Sequence, residues 1–266
     1  MTDQELVDAL EHVWGSTLSV GGALSEADWS MPTDCPGWTA KDVVAHLIGI
    51  ESTIQGQATP DVEVPDSDHV RGEVARMNEA WVESMRSMTG SAVLERFERV
   101  SGDRLAELRA LDAAGFAADA WTPVGPGTVR QLLPFRIFDS WVHEQDIRLA
   151  VGRPGALHGP GAEASLARCI DTMGYVIGKK VAPPDGTTVS FDLEPPMAAR
   201  FAIGVDGGRA RRLTELPSAP TVRIGATGET FVRLACGRLD PDAADVMRDG
   251  DTALGAAVVA NLNFLF

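Results

Sequence analysis

The sequence predicts an α+β protein, with a helical bundle over residues 1–155 and a smaller α/β unit over residues 156–266. Three observations carry that reading. Trp14, Trp29, Trp38, Trp81, Trp121 and Trp141 all precede residue 155, and no tryptophan follows it. Apolar residues before that point recur with the period of a helix, whereas those after it fall in short runs broken by Gly, Pro and Asp. Between the two lies Arg153-Pro-Gly-Ala-Leu-His158-Gly-Pro-Gly161, too rich in Pro and Gly to continue a helix.

The first helix opens at Thr2-Asp3-Gln4-Glu5, which has the form of a capping box, and buries Leu6, Ala9, Leu10, Val13 and Leu18. Turn residues from Pro32 to Trp38 lead into Thr39, an N-cap with Asp42 at the third helical position. Val43, His46, Leu47, Ile50 and Ile54 then form one stripe. Residues 60–68 read as a polar loop, and helices are expected over about 70–88 and about 91–112. A loop through Pro123–Gly127 ends at Thr128, and the following helix runs to Val151, with Gly152 as its stop. Pro134 either kinks that helix or marks its first turn. Its inward stripe is Leu132, Phe135, Asp139, Val142, His143, Asp146 and Ala150, apolar at both ends and polar in the middle.

After the connector, residues 162–180 read as a helix. Strands follow at Thr187–Leu193, Arg200–Val205, Ala210–Leu213 and Pro220–Ile224, with turns at Glu194-Pro-Pro and Asp206-Gly-Gly. Thr227 caps a helix through Ala235, and Asp249-Gly250-Asp251 precedes a last one.

Composition narrows the function classes. A net charge of −15 argues against a broad surface for nucleic acid or anionic membrane, although one or two arginines suffice for a small anion. Only Lys41, Lys179 and Lys180 are lysine among 23 basic residues, as in a GC-rich bacterial gene. Cys35, Cys169 and Cys236 are odd in number and form no CxxC pair, so a reducing cytoplasm is expected and a disulfide framework is not. The acidic N-terminus lacks a signal-peptide core, and no run of about 18 apolar residues suggests a membrane helix. GxSxG, a P-loop and a strand-borne GxGxxG are all missing.

What remains is a set of polar residues on apolar stripes. His46 alone fits a hydrogen-bonded core histidine, and Asp139 with His143, four apart on one helix, fits a structural pair. Burying such groups without partners costs about 1–3 kcal/mol each. Together they fit a three-ligand metal site with a position open for a substrate as well as they fit a purely structural set. Asp146 would orient the His143 ring or pair with an arginine, whereas Glu144 points elsewhere. His12, His69 and His158 have no ligand-like neighbours in sequence, and Cys35, with no basic residues around it, reads as packing.

Two segments carry a resemblance. Asp34-Cys-Pro-Gly-Trp-Thr-Ala-Lys-Asp-Val-Val-Ala-His46 and Phe138-Asp-Ser-Trp-Val-His-Glu-Gln-Asp-Ile-Arg148 resemble the mycothiol-dependent maleylpyruvate isomerase family of DinB-like metalloproteins. Phe231-Val-Arg-Leu-Ala-Cys-Gly-Arg238, with Gly250-Asp251 and Leu254-Gly255, resembles that family's C-terminal domain. The resemblance implies a DinB-like four-helix bundle followed by a sterol-carrier-protein-like domain. It implies a divalent metal, usually zinc, on His46, Asp139 and His143, with Asp139 standing where the isomerase pattern has Glu. It also implies mycothiol as a thiol cosubstrate, activated as thiolate at the metal's open position for isomerisation by addition and elimination, or for S-transfer. An actinobacterial source and a monomer or homodimer acting on a small electrophile accord with it. Arg238 is the candidate for a substrate or thiol carboxylate, with an interdomain salt bridge as the other reading. Two rival functions remain: a lipid or small-molecule carrier with a structural metal, and a hydrolase using metal-bound water.

Overall fold

The computed structural model describes residues 1–67 and 69–265. Asp68, at the end of the expected 60–68 loop, and Phe266 lie outside the described residues. The chain divides into two compact units, Met1–Ala156 and Leu157–Phe266.

In the first unit the helices are α1 (Asp3–Gly21), the short α2 (Glu26–Trp29), α3 (Ala40–Ile54), α4 (Gly72–Met85), α5 (Gly90–Ala110), the short α6 (Ala113–Phe116) and α7 (Val129–Ala150). The long helices α1, α5, α3 and α7 pack each on the next and α7 back on α1, a four-helix ring, with α4 against α3. Capping boxes start three of them, at Thr2, Thr39 and Thr128, each satisfying otherwise unpaired N–H groups of the first turn. Leu10, Trp14, Leu47, Ile48, Phe97, Leu133 and Ile137 are fully buried between the helices. Trp14 meets Phe97 edge to face at 6.3 Å, and its Nε1 donates to Ser140 Oγ at 3.0 Å.

Three expectations need correction here. The segment before Thr128 is a hairpin, not a loop: β1 (Asp119–Thr122) pairs antiparallel with β2 (Gly125–Thr128). Its turn is closed by Thr122 Oγ1, which donates to the Gly125 carbonyl at 2.7 Å, and Gly125 takes a φ of 113° that favours glycine. Pro134 lies inside α7, five residues past its start, so it marks no first turn. The buried face of α7 is also wider than one stripe. Arg136, Ile137, Ser140, Trp141, Glu144 and Ile147 are buried, because α1 and α3 flank the helix, while Phe135 and Ala150 are only half-buried.

The second unit holds α8 (Pro160–Tyr175), which runs into a π-helical turn (Val176–Val181), then β3 (Thr188–Glu194), β4 (Ala199–Asp206), β5 (Arg209–Arg212), β6 (Val222–Thr227), α9 (Gly228–Ala235), β7 (Met247–Gly250) and α10 (Thr252–Ala260). The sheet order is β5-β4-β3-β6-β7, with only the central β3–β6 pair parallel. Phe191 stacks on Phe201 at 4.6 Å, and Phe231 of α9 closes on both rings edgewise. Three of the expected strands form within one residue of their expected limits, and β6 starts two residues later and ends three residues later than expected. β7 was not anticipated, since Met247-Arg-Asp-Gly is exposed throughout and carries no apolar alternation. No helix among the described residues is long and apolar enough to cross a membrane.

Candidate metal centre

Where α3 packs on α7, the chain brings His46, Asp139 and His143 together. His46 Nε2 lies 3.5 Å from Asp139 Oδ2, and His143 Nε2 lies 3.6 Å from Asp139 Oδ1. One nitrogen or oxygen from each residue falls within 4.8 Å of the others. With bonds of about 2.0–2.1 Å to a cation, two tetrahedral ligand atoms stand about 3.3 Å apart, close to the two histidine–Asp139 separations, each of which runs to a different carboxylate oxygen. His46 makes the chemical case: its ring is only 4% exposed, yet neither Nδ1 nor Nε2 has a hydrogen-bond partner. Buried polar atoms are rarely left so, and an imidazole lone pair turned toward a carboxylate and a second imidazole is suited to a cation. The three residues therefore fit a divalent metal.

Two of the three candidate ligands are held from behind. His143 Nδ1 lies 2.9 Å from Asp146 Oδ2, so the ring donates there and presents Nε2 to the centre. The same oxygen accepts from the Cys35 thiol at 3.0 Å, and Cys35 Sγ lies 3.8 Å from His143 Nδ1. Asp146 thus orients the ring, one of the two roles open to it from sequence, and Cys35 belongs to this polar group rather than to plain packing. On the other side Arg136 Nη1 donates to Asp139 Oδ2 at 2.8 Å and its Nε to Glu51 Oε1 at 2.6 Å. Glu51 and Arg136 are buried as deeply as the histidines. Cys35, His143 and Asp146 form a second cluster of metal-ligating type, sharing the His143 ring with the first.

The turn before α3 explains how Cys35 and Trp38 reach the site. Pro32 pairs with Thr39 in an isolated bridge, Thr33 N and Oγ1 donate to the Trp38 carbonyl, and Gly37 adopts a φ of 79°. A side chain at Gly37 would meet the His69 ring at 2.6 Å. The Trp38 ring centre lies 5.0 Å from that of His46 and 6.1 Å from that of His143, forming an aromatic wall. Its Nε1 donates to Glu79 Oε2 at 2.8 Å, and Glu79 Oε1 accepts from Arg86. Arg86 also donates to Asp42 Oδ2, the carboxylate that caps α3 through Thr39.

Electrostatics separate the ligands. Burial holds His46 below the ordinary histidine range, against the pull of Asp139. Burial opposes charge on His143 as well, but the Asp139 carboxylate, the Asp146 hydrogen bond and Cys35 outweigh it and push the ring up to about 10. Asp139 is held well below the usual carboxylate range: burial opposes this, and the Arg136 guanidinium and both imidazoles override it. His46 as a neutral imidazole and Asp139 as a carboxylate are in the forms a cation takes, whereas His143, charged at neutral pH, would release a proton on binding one.

The remaining sequence candidates lie elsewhere. Glu144 is fully buried but turns to α1, accepting from Ser16 Oγ at 2.6 Å and Arg148 Nε at 2.7 Å. His12 and His158 are exposed and join neither cluster, and His69 stands 3.6 Å from Glu79. Arg238, half-buried in the second unit, donates from Nη1 to the Cys236 carbonyl at 3.1 Å. Sequence reasoning passed over Arg136, Glu51 and Trp38. A charged residue one turn before a candidate ligand, as Arg136 is to Asp139, was the available signal.

Comparison with known proteins gives a concordant result. A family model described as the mycothiol maleylpyruvate isomerase N-terminal domain matches residues 10–148, and one described as the MDMPI C-terminal domain matches residues 163–257. Among solved structures, the mycothiol-dependent maleylpyruvate isomerase aligns over 94% of this chain and 93% of its own, with a TM-score of 0.56 at 17% identity. A variant of that enzyme with a histidine replaced by alanine aligns over the same shares, with a TM-score of 0.58 at 17% identity. Among curated proteins none matches the sequence significantly.

Proposed function

Since the chain belongs to the mycothiol-dependent maleylpyruvate isomerase family, we propose that it is an enzyme using mycothiol as a thiol nucleophile on a small electrophilic substrate, with maleylpyruvate the first to test. His46, Asp139 and His143 are the residues that would hold a divalent cation, zinc in the first instance. Bound there, the cation would supply Lewis acidity, lowering the pKa of a thiol offered at its open position. The observation that carries this reading is His46, a buried imidazole with no hydrogen-bond partner on either nitrogen, facing two groups of ligand chemistry.

The chain's own residues do the rest. Asp146 fixes the tautomer of His143, and Arg136 fixes the Asp139 carboxylate. Trp38 walls the centre with an apolar surface that excludes water from the nucleophile. Arg238 is proposed to hold a carboxylate of thiol or substrate through its guanidinium fork. In the isomerisation, sulfur bonds to one carbon of the cis double bond and a proton adds to its neighbour. Rotation about the resulting single bond and loss of the same sulfur and proton then leave the trans alkene and free thiol.

The test is elemental analysis of untagged protein, followed by turnover of maleylpyruvate with and without mycothiol. About one equivalent of a transition metal and thiol-dependent isomerisation are expected. Less than about 0.2 equivalents, unchanged by reconstitution, would overturn the metal centre. Turnover of the substrate with no thiol would overturn the thiol chemistry and favour a hydrolase. An Arg238→Ala variant should raise KM for an anionic substrate, and an unchanged KM would remove that residue from the proposal.

A further inference from the structure

We propose that Cys35 is a positioning residue for the centre: its thiol proton locks Asp146 in the orientation that holds His143 Nε2 toward His46 and Asp139. This rests on the metal reading above and deepens it. The geometry is a chain of three side chains from distant parts of the sequence. Cys35 Sγ donates to Asp146 Oδ2 at 3.0 Å, and that oxygen accepts from His143 Nδ1 at 2.9 Å. All three are buried, so water does not compete for these bonds. A carboxylate oxygen accepting from two donors is fixed in rotamer by both, and each donor is aligned by the other. Cys35 is itself fixed by the turn, where its N–H donates to Thr33 Oγ1 at 3.2 Å. The orientation of a ligand on α7 is therefore written partly in the turn before α3.

An alternative use of the same atoms is a second cation between Cys35, Asp146 and His143 Nδ1. The hydrogen bonds argue against it. A cation there would displace the thiol proton and the Nδ1 proton together, removing the contacts that set His143 toward the first centre.

The experiment measures metal affinity of apoprotein by competition with a chromophoric chelator, and the visible spectrum of the cobalt(II) form. Cys35→Ser, which keeps a hydroxyl donor, should bind within about threefold of wild type. Cys35→Ala should lose affinity by about tenfold and shift the cobalt ligand-field bands, and Asp146→Asn should lose about 10–100-fold. Thermal unfolding of each variant identifies any that is simply misfolded, and the Ser/Ala contrast at one position keeps the result independent of general packing. Equal affinity and spectra for the Ala and wild-type proteins would overturn the role of Cys35 while leaving the metal centre standing. Two equivalents of cobalt with a sulfur-to-metal charge-transfer band lost in Cys35→Ser would overturn it in favour of the second cation. A wild-type protein that binds no metal would overturn both this inference and the function it rests on.

Discussion

The two units bury different chemistry. Among the described residues, every buried acidic, basic or histidine side chain lies in the first: Asp42, His46, Glu51, Glu79, Arg136, His143, Glu144 and Asp146. The second is closed by Phe191, Phe201 and Phe231, with only Ser165, Thr187 and Ser190 as buried polar residues. Apolar burial stabilises a fold directly, whereas buried charges recover their desolvation only through close pairing. The helical unit thus maintains an internal electrostatic framework that stability alone does not require, and apart from Glu144, which turns to α1, it is grouped about one centre.

The sharpest way to break this contrast is His143→Ala, which should lower metal affinity by at least ~100-fold, beyond the loss expected for an outer partner, and abolish thiol-dependent turnover. Retained small-molecule binding with no turnover in the wild type would instead favour a carrier. Next comes Arg136→Leu. It strands Glu51 without its closest partner and should cost about 3–5 kcal/mol in denaturant unfolding, much of it recovered in a Glu51→Met/Arg136→Leu double variant. Metal affinity should stay low in the double variant, because Asp139 has lost its anchor; full recovery would show the ion pairs to be structural only. Phe231→Ala in the second unit should also cost about 3–5 kcal/mol, by leaving a cavity between two rings, yet keep metal affinity within about twofold. A parallel fall in affinity would erase the distinction between the units. The smallest effect belongs to Arg99→Ala, whose exposed pair with Glu95 should be worth no more than about 0.5 kcal/mol by thermal unfolding.

Legibility followed sequence distance. The Thr2 and Thr39 caps, the stripe through His46 and the one-turn spacing of Asp139 and His143 are local, so periodicity and capping chemistry disclose them. The Cys35–Asp146 bond spans 111 residues and the Arg136–Glu51 bond 85, and no short-range pattern announces either. Cys35 read as packing because its neighbours in sequence are not its neighbours in space. Glu144 was rightly set apart from His143, yet its depth of burial was missed, since one stripe cannot describe a helix covered by two others. The β1–β2 hairpin was hidden by Pro and Gly, which signal a turn but not the four-residue strands on either side.

The link from Thr39 through Asp42, Arg86 and Glu79 to Trp38 joins the start of α3, the docking of α4 and the wall of the centre in one hydrogen-bonded run. Its consequence is kinetic. If α4 lifted away, Trp38 would lose its anchor on Glu79, so exchange of a cation at the centre is expected to couple to a local opening much smaller than global unfolding. Amide hydrogen exchange across residues 72–85 and metal off-rate should then change together, as two readings of one fluctuation.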